Sequence, residues 1–234
     1  YGRFFASFSF FVFAMSGVVV APGLLQAFIC WELVGLGSYF LIGYWHDKPE
    51  ASEDPEYQAG KPWYATGLIE SKLSPSSAQF KAFVVNRVGD FGFLSGLALC
   101  AWVVGTWSGF QGGDPLAWKT LFGAVADGAF AQASFLGWSG MALLTLAGLL
   151  VFLGAMGKSA QFPLHVWLPD AMQGPTTASA IIHAATMVAA GVFLTARIYP
   201  MLTPEALVAI QWVGGINAFV AATIACVQWD FKAV

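Results

Sequence analysis

The sequence predicts an all-α, polytopic membrane helix bundle, and three observations carry that reading. The 234-residue chain is 58% hydrophobic and 10% charged, where an ordinary soluble domain is roughly 45–50% apolar and about 25% charged. Its mean hydropathy is +0.68, and its apolar residues gather into six runs, over 4–20, 24–45, 82–106, 140–172, 177–198 and 206–229. Each run supplies about the 20 residues that a helix needs to cross a hydrocarbon core some ~30 Å thick. The charges lie mostly between the runs. With 10 basic and 13 acidic residues, the chain cannot cover a soluble globule of this size. An ordinary cytosolic enzyme, a nucleic-acid binder and a disordered segment are thereby excluded. The net charge of −3 points to no polyanionic partner. The whole of 1–234 reads as a single transmembrane domain, and a chain that begins at Tyr1 reads as a piece of a longer protein.

The elements follow in order. Residues 4–20 resemble a signal peptide in composition, but no small-residue cleavage site leads into a soluble domain, so they read as a span. Residues 24–45 form the second span. Nine charged residues fall in 47–72, with Pro49, Pro55, Pro62 and Pro75 nearby, which marks an exposed loop. The third span covers 82–106. Gly112, Gly113, Asp114 and Pro115 then mark a turn, before a short interfacial helix over 116–131. Segment 140–172 is too long for one crossing: as a continuous helix it reaches ~50 Å at the ordinary rise per residue. It also holds Gly154, Gly157, Pro163 and Pro169. Proline removes a backbone donor and clashes with the preceding turn, so the helix is expected to break just after Lys158, within the membrane. Spans 177–198 and 206–229 complete the set. Helix is the only viable choice, because a lone span must satisfy its own backbone hydrogen bonds and the runs lack the alternation of a membrane barrel.

If the spans alternate, Arg3, Lys48, Lys61, Lys72, Lys81 and Lys232 share one side, and only Lys119 and Arg197 face the other. The basic side is the cytoplasmic one, which puts 46–81 there.

Four ionisable residues inside the spans carry the argument: Glu32, Asp90, Lys158 and His183. A charge at the bilayer centre costs at least ~2.5–3.5 kcal/mol, so such groups face a partner or water. Each also has a plain structural reading. Asp90 can pair with Arg87 three residues earlier, and His183 can be a core histidine with its hydrogen bonds met. Ser179 and Thr186 share its face at helical spacing, while His165 lies near the end of the broken span and reads as interfacial. Glu32 and Lys158 can form a structural pair. Yet a lone carboxylate and a lone amine in separate spans, one at a helix break, suit proton carriage, since burial and neighbouring charge control their protonation. Cys30, Cys100 and Cys226 are too scattered for a disulfide framework or a metal cluster. Gly157-Lys158-Ser159 lacks the first glycine of a phosphate loop, which would fall at Phe152. No haem, flavin or iron–sulfur motif occurs, so any redox centre lies in another chain.

These residues sit in long, specific motifs. Trp31-Glu32-Leu33-Val34-Gly35, Asn86-Arg87-Val88-Gly89-Asp90, and the 157–200 run with GKSAQFPLHVWLPDAM, GPTTASAIIHAATMVAAGVF and TARIYP resemble the antiporter-like subunits of respiratory complex I. The likeness points to the large distal type: the L-type subunit of bacterial NADH:quinone oxidoreductase, mitochondrial subunit 5, and the F-type subunit of the plastid and cyanobacterial complex. It covers about two thirds of the chain; 46–78 and 107–138 match poorly. The resemblance implies two inverted five-helix repeats, with 4–198 as the first and 206–229 opening the second. It implies that Glu32 is the essential glutamate, Lys158 the broken-helix lysine, Asp90 the family's acidic residue and His183 the central relay. Lys232 resembles the lysine after the next helix. By that resemblance Glu32 tunes the proton affinity of Lys158, and protons pass through His183 toward the second half. Thr177 stands where the family pattern has proline, and 46–79 is longer than that pattern.

The implied function is proton translocation coupled to quinone reduction elsewhere in the complex. NADH, FMN, iron–sulfur clusters and quinone would sit in partner subunits, with no cofactor in this chain. The implied partners are other membrane subunits, especially the neighbouring antiporter-like one, with protons as cargo and no nucleic acid. The membrane would be the bacterial inner membrane, or the inner mitochondrial or thylakoid membrane. Three alternatives remain open at this point. They are the large subunit of a multi-subunit Na⁺/H⁺ antiporter, the equivalent subunit of a membrane-bound hydrogenase, and a structural membrane scaffold.

Overall fold

The computed structural model describes residues 2–46, 74–135 and 137–227. Among these, six helices are long and apolar enough to cross a membrane. Helix α1 (Gly2–Val20) turns through Ala21–Gly23 into α2 (Leu24–Ile42), which ends in a 3-10 turn at Gly43–Trp45. Gly23 is required at that turn: a Cβ there would lie 2.6 Å from the Leu116 carbonyl oxygen. Leu24 N donates to that same oxygen at 2.8 Å.

Helix α3 (Pro75–Thr106) starts a full two turns before the boundary that hydropathy suggests. Its cause is local chemistry. Ser74 caps the helix by accepting from Ser77 N at 3.2 Å, with Pro75 at the first helical position. The polar first turns extend past the apolar part of the helix.

The 107–139 stretch is less regular than one interfacial helix. Helix α4 (Trp118–Ala126) stops because Gly128 adopts a left-handed conformation, φ 78°. One further turn, α5 (Ala129–Gln132), leads into a two-residue antiparallel hairpin, β1 (Ser134–Phe135) and β2 (Trp138–Ser139).

Helix α6 (Met141–Lys158) ends at Lys158. Ala160 then takes a positive φ of 49°, and two 3-10 turns follow, at Leu164–Trp167 and Asp170–Gln173. Helix α7 spans Thr176–Arg197 but is not uniform: Ile181–Thr186 is a π-helical turn. Helix α8 (Pro204–Ala225) is capped by Thr203, which accepts from Ala206 N at 3.3 Å, and Ala206 is its one buried residue.

The core is set by the contact of α3 with α6, which is a seam of glycines. A Cβ at Gly89 would meet Leu153 O at 2.9 Å and Gly157 Cα at 3.1 Å, and one at Gly96 would meet Val151 N at 2.9 Å. Small residues let backbones approach closely where no hydrophobic drive separates helix from lipid. The seam ends where Asp90 and Lys158 follow Gly89 and Gly157, so close packing delivers the two charges to one level. The ends of the bundle separate as alternating spans require. Arg3 donates to Tyr44 O at 2.5 Å, and Lys81 pairs with Asp170. At the opposite end, Trp118 Nε1 donates to Ala21 O at 2.8 Å, and Arg197 lies 5.4 Å over the Trp118 ring.

Candidate functional site: a charge chain at the helix break

Lys158 is wholly buried, with 0% of its side chain exposed. It is the last residue of α6, where the final carbonyls lose their intrahelical partners. Taking an ammonium out of water costs several kcal/mol even after relaxation, so the site must compensate it. Asp90 does so from α3, with Oδ2 3.3 Å from Nζ, and is itself 3% exposed. Asp90 Oδ1 accepts from Trp31 Nε1 at 2.9 Å, and Arg87 lies 3.9 Å from Oδ2. Arg87 in turn pairs with Glu32, whose side chain is 24% exposed. Four groups thus form one chain, Glu32–Arg87–Asp90–Lys158, with two partly exposed members and two buried ones.

This arrangement corrects one expectation. Glu32 and Lys158 do not meet; Arg87 and Asp90 stand between them. The reason is the rotation of α2. Trp31 and Gly35, four residues apart, turn the same face toward the site, and both are buried. Glu32 lies one position round the helix and reaches the guanidinium instead. Arg87 therefore has two carboxylates, not the Asp90 partner alone.

His183 lies on the π-turn of α7. Its ring is tilted against Trp167, with centroids 5.8 Å apart. Trp167 Nε1 donates to Gly157 O at 3.0 Å, so one indole satisfies a carbonyl at the break and also touches the histidine. Within this turn Thr186 Oγ1 donates to Ile181 O at 2.9 Å, five residues back. Ser159 Oγ donates to Val188 O at 2.8 Å and ties the break to α7 a second time.

His165, which reads as interfacial in sequence, lines a cavity of about 220 Å³ with Ser159, Met172 and Asn217. Its Nδ1 is buried without a hydrogen-bond partner among the described residues. Lys232 lies outside the described residues.

Sequence reasoning missed Trp31, Trp167 and the Lys81–Asp170 pair. Aromatic donors carry no charge to flag them. Asp170 lies near the end of the broken 140–172 span, where it reads as one charge close to the membrane surface, yet it is 4% exposed. Chemically, the chain sets two carboxylates and an amine, Glu32, Asp90 and Lys158, in one series of contacts. Arg87 stays charged in proteins and acts as a fixed cation between the carboxylates. Among the described residues, no three His, Cys, Asp or Glu side chains gather as a metal site.

Comparison with known proteins shows the family of the chain. A family model described as NADH:quinone oxidoreductase/Mrp antiporter, TM, matches residues 65–234. The NAD(P)H-quinone oxidoreductase chain 5 of Picosynechococcus sp. is 46% identical over 99% of this chain and 30% of its own length. The chloroplastic NAD(P)H-quinone oxidoreductase subunit 5 of Mesostigma viride is 44% identical, with the same 99% and 30% coverage. A solved structure of the Mrp complex from Dietzia sp. superposes with a TM-score of 0.58 at 26% identity, covering 83% of this chain and 16% of that one. The chain spans about 30% of the length of the curated relatives it matches. It belongs to the NADH:quinone oxidoreductase/Mrp antiporter transmembrane family.

Proposed function

We propose that this chain is part of the proton-translocating membrane arm of an NAD(P)H:quinone oxidoreductase, and that Lys158 is its proton carrier. The single observation behind this reading is a fully buried ammonium at a helix end, compensated by a carboxylate that a second cation shares. In such a site the balance between amine and ammonium is set by the net charge beside it. A change of ~1.4 kcal/mol in that interaction alters proton affinity about tenfold. Movement of Arg87 between Glu32 and Asp90 changes how much negative charge Lys158 feels. Glu32 therefore acts on Lys158 through Arg87 and Asp90, and His183 accepts the proton on the far side of the break. By the family resemblance, Lys232 is a further residue of the path.

The redox chemistry belongs to partner subunits, which hold NADH, FMN, iron–sulfur clusters and quinone. This chain contributes no redox centre and works among other membrane subunits, with an antiporter-like neighbour beside it. The Lys81–Asp170 end faces the cytoplasm or its organellar equivalent. The likeness to the Mrp complex favours a second reading, an Na⁺/H⁺ antiporter subunit. The quinone oxidoreductase relatives, at 46% against 26% identity, favour the first. Proton uptake by the complex reconstituted in proteoliposomes tests the proposal, with electron transfer measured alongside. Lys158→Ala should leave assembly nearly intact and reduce proton uptake strongly. Wild-type uptake by that variant would reduce Lys158 to a structural charge.

A further inference from the structure

We infer that Gly35 is a positioning residue: its missing side chain is the space in which the Lys158 ammonium sits. The inference rests on Lys158 being the proton carrier. Asp90 bounds the ammonium on the α3 side at 3.3 Å. On the α2 side the boundary is the bare backbone of Gly35. A Cβ built there would lie 2.7 Å from Lys158 Nζ and 4.0 Å from Cε. A methyl at this position and an ammonium in its present place cannot coexist. One face of α2 thus shapes both members of the pair: Trp31 holds Asp90 through its indole N–H, and Gly35 leaves room for Lys158.

The geometry separates function from fold. The atom that a methyl would displace is the far end of a flexible side chain, so the helices need not move. Nζ would shift relative to Asp90, the group that controls its proton. Gly37, two residues on, supplies the control. A Cβ there would meet Phe11 Cδ2 at 3.0 Å, Cβ at 3.1 Å and Cα at 3.2 Å, so the backbone and the root of the side chain stand in the way, not a flexible tip. Gly37→Ala therefore strains the packing of α1 on α2 without touching the charge chain.

The test compares Gly35→Ala, Gly37→Ala and Lys158→Ala in the full-length protein within its assembled complex. Thermal unfolding, protons taken up per electron, and the pH profile of uptake are read for each. Gly35→Ala should unfold close to wild type, lose about tenfold in uptake at neutral pH, and move the pH profile by about one unit, the shift that a tenfold change in proton affinity produces. Gly37→Ala should unfold at lower temperature while changing uptake less than ~twofold, with its profile in place. If Gly35→Ala pumps with the wild-type profile while Lys158→Ala does not pump, the positioning role is overturned and the carrier reading stands. If Lys158→Ala pumps normally, both fall.

Discussion

Replacing Asp90 alone should destabilise the protein more than replacing Asp90 and Lys158 together. Asp90→Asn preserves the shape of the side chain, and the amide oxygen can still accept from Trp31 Nε1. What it removes is the negative charge 3.3 Å from an ammonium that is 0% exposed. Arg87, 3.9 Å from the same oxygen, then adds a second cation facing a neutral group. Leaving one member of a buried pair uncompensated costs about 3–5 kcal/mol. Lys158→Met should cost less, because Asp90 keeps both the indole N–H and the guanidinium. In the double variant neither charge is stranded, and an apolar side chain of similar length fills the space. Substituting a buried pair in this way is often neutral, or stabilising by ~1–4 kcal/mol. Even with the double variant merely neutral, the coupling energy of the cycle should be at least ~3 kcal/mol, at or above the upper end for residues in direct contact. Reversible unfolding of the purified full-length protein in mixed detergent and SDS micelles measures all four corners. A double variant that loses the plain sum of the two single losses would refute the pairing.

Three further outcomes follow from the same chain of contacts. Trp31→Phe keeps the edge-on contact with Phe93 (centroids 5.6 Å apart) but deletes the hydrogen bond to Asp90; it should cost ~1.5–3 kcal/mol, the range for bonds to charged groups, read by the same unfolding assay. Glu32→Gln should reduce proton uptake more than Glu32→Asp, because only the former releases Arg87 from a carboxylate; equal uptake by both would separate Glu32 from the path. Single cysteines at Ser74 and Asp114 should label from opposite sides of the membrane, the first from the cytoplasmic side; labelling of both from one side contradicts the alternation of the spans.

The parts of this structure that were legible in the sequence are those fixed by local chemistry. Six apolar runs correspond to the six long apolar helices. The end of α6 at Lys158 follows from Gly157 and the prolines beyond it, which mark a break wherever the chain sits. The early start of α3 was hidden because hydropathy weighs lipid-facing surface, whereas a Ser–Pro cap fixes the end of the hydrogen-bonded helix. The stop at Gly128 depends on a backbone angle, and a glycine alone does not announce its φ. The π-turn at Ile181–Thr186 also lies beyond pattern reading, since no residue type marks it. Partners were the least legible feature. Glu32, Asp90 and Lys158 stood out as intramembrane charges, but which of them touch depends on how α2 is rotated about its axis. Glu32 and Gly35 lie three positions, and so only about 60°, apart round the helix, and α2 is turned so that Gly35 faces the lysine.

The central claim is that Lys158 gives up and regains a proton, not merely that it carries charge. Lys158→Arg tests it most directly. Arginine keeps a cation beside Asp90 but does not deprotonate in proteins. Protons taken up per electron should be measured on the assembled complex in proteoliposomes, after the variant's assembly has been verified. The proposal predicts an assembled complex whose ratio falls well below that of wild type. A wild-type ratio with arginine at position 158 would contradict it, because a permanent cation would then do everything that the lysine does.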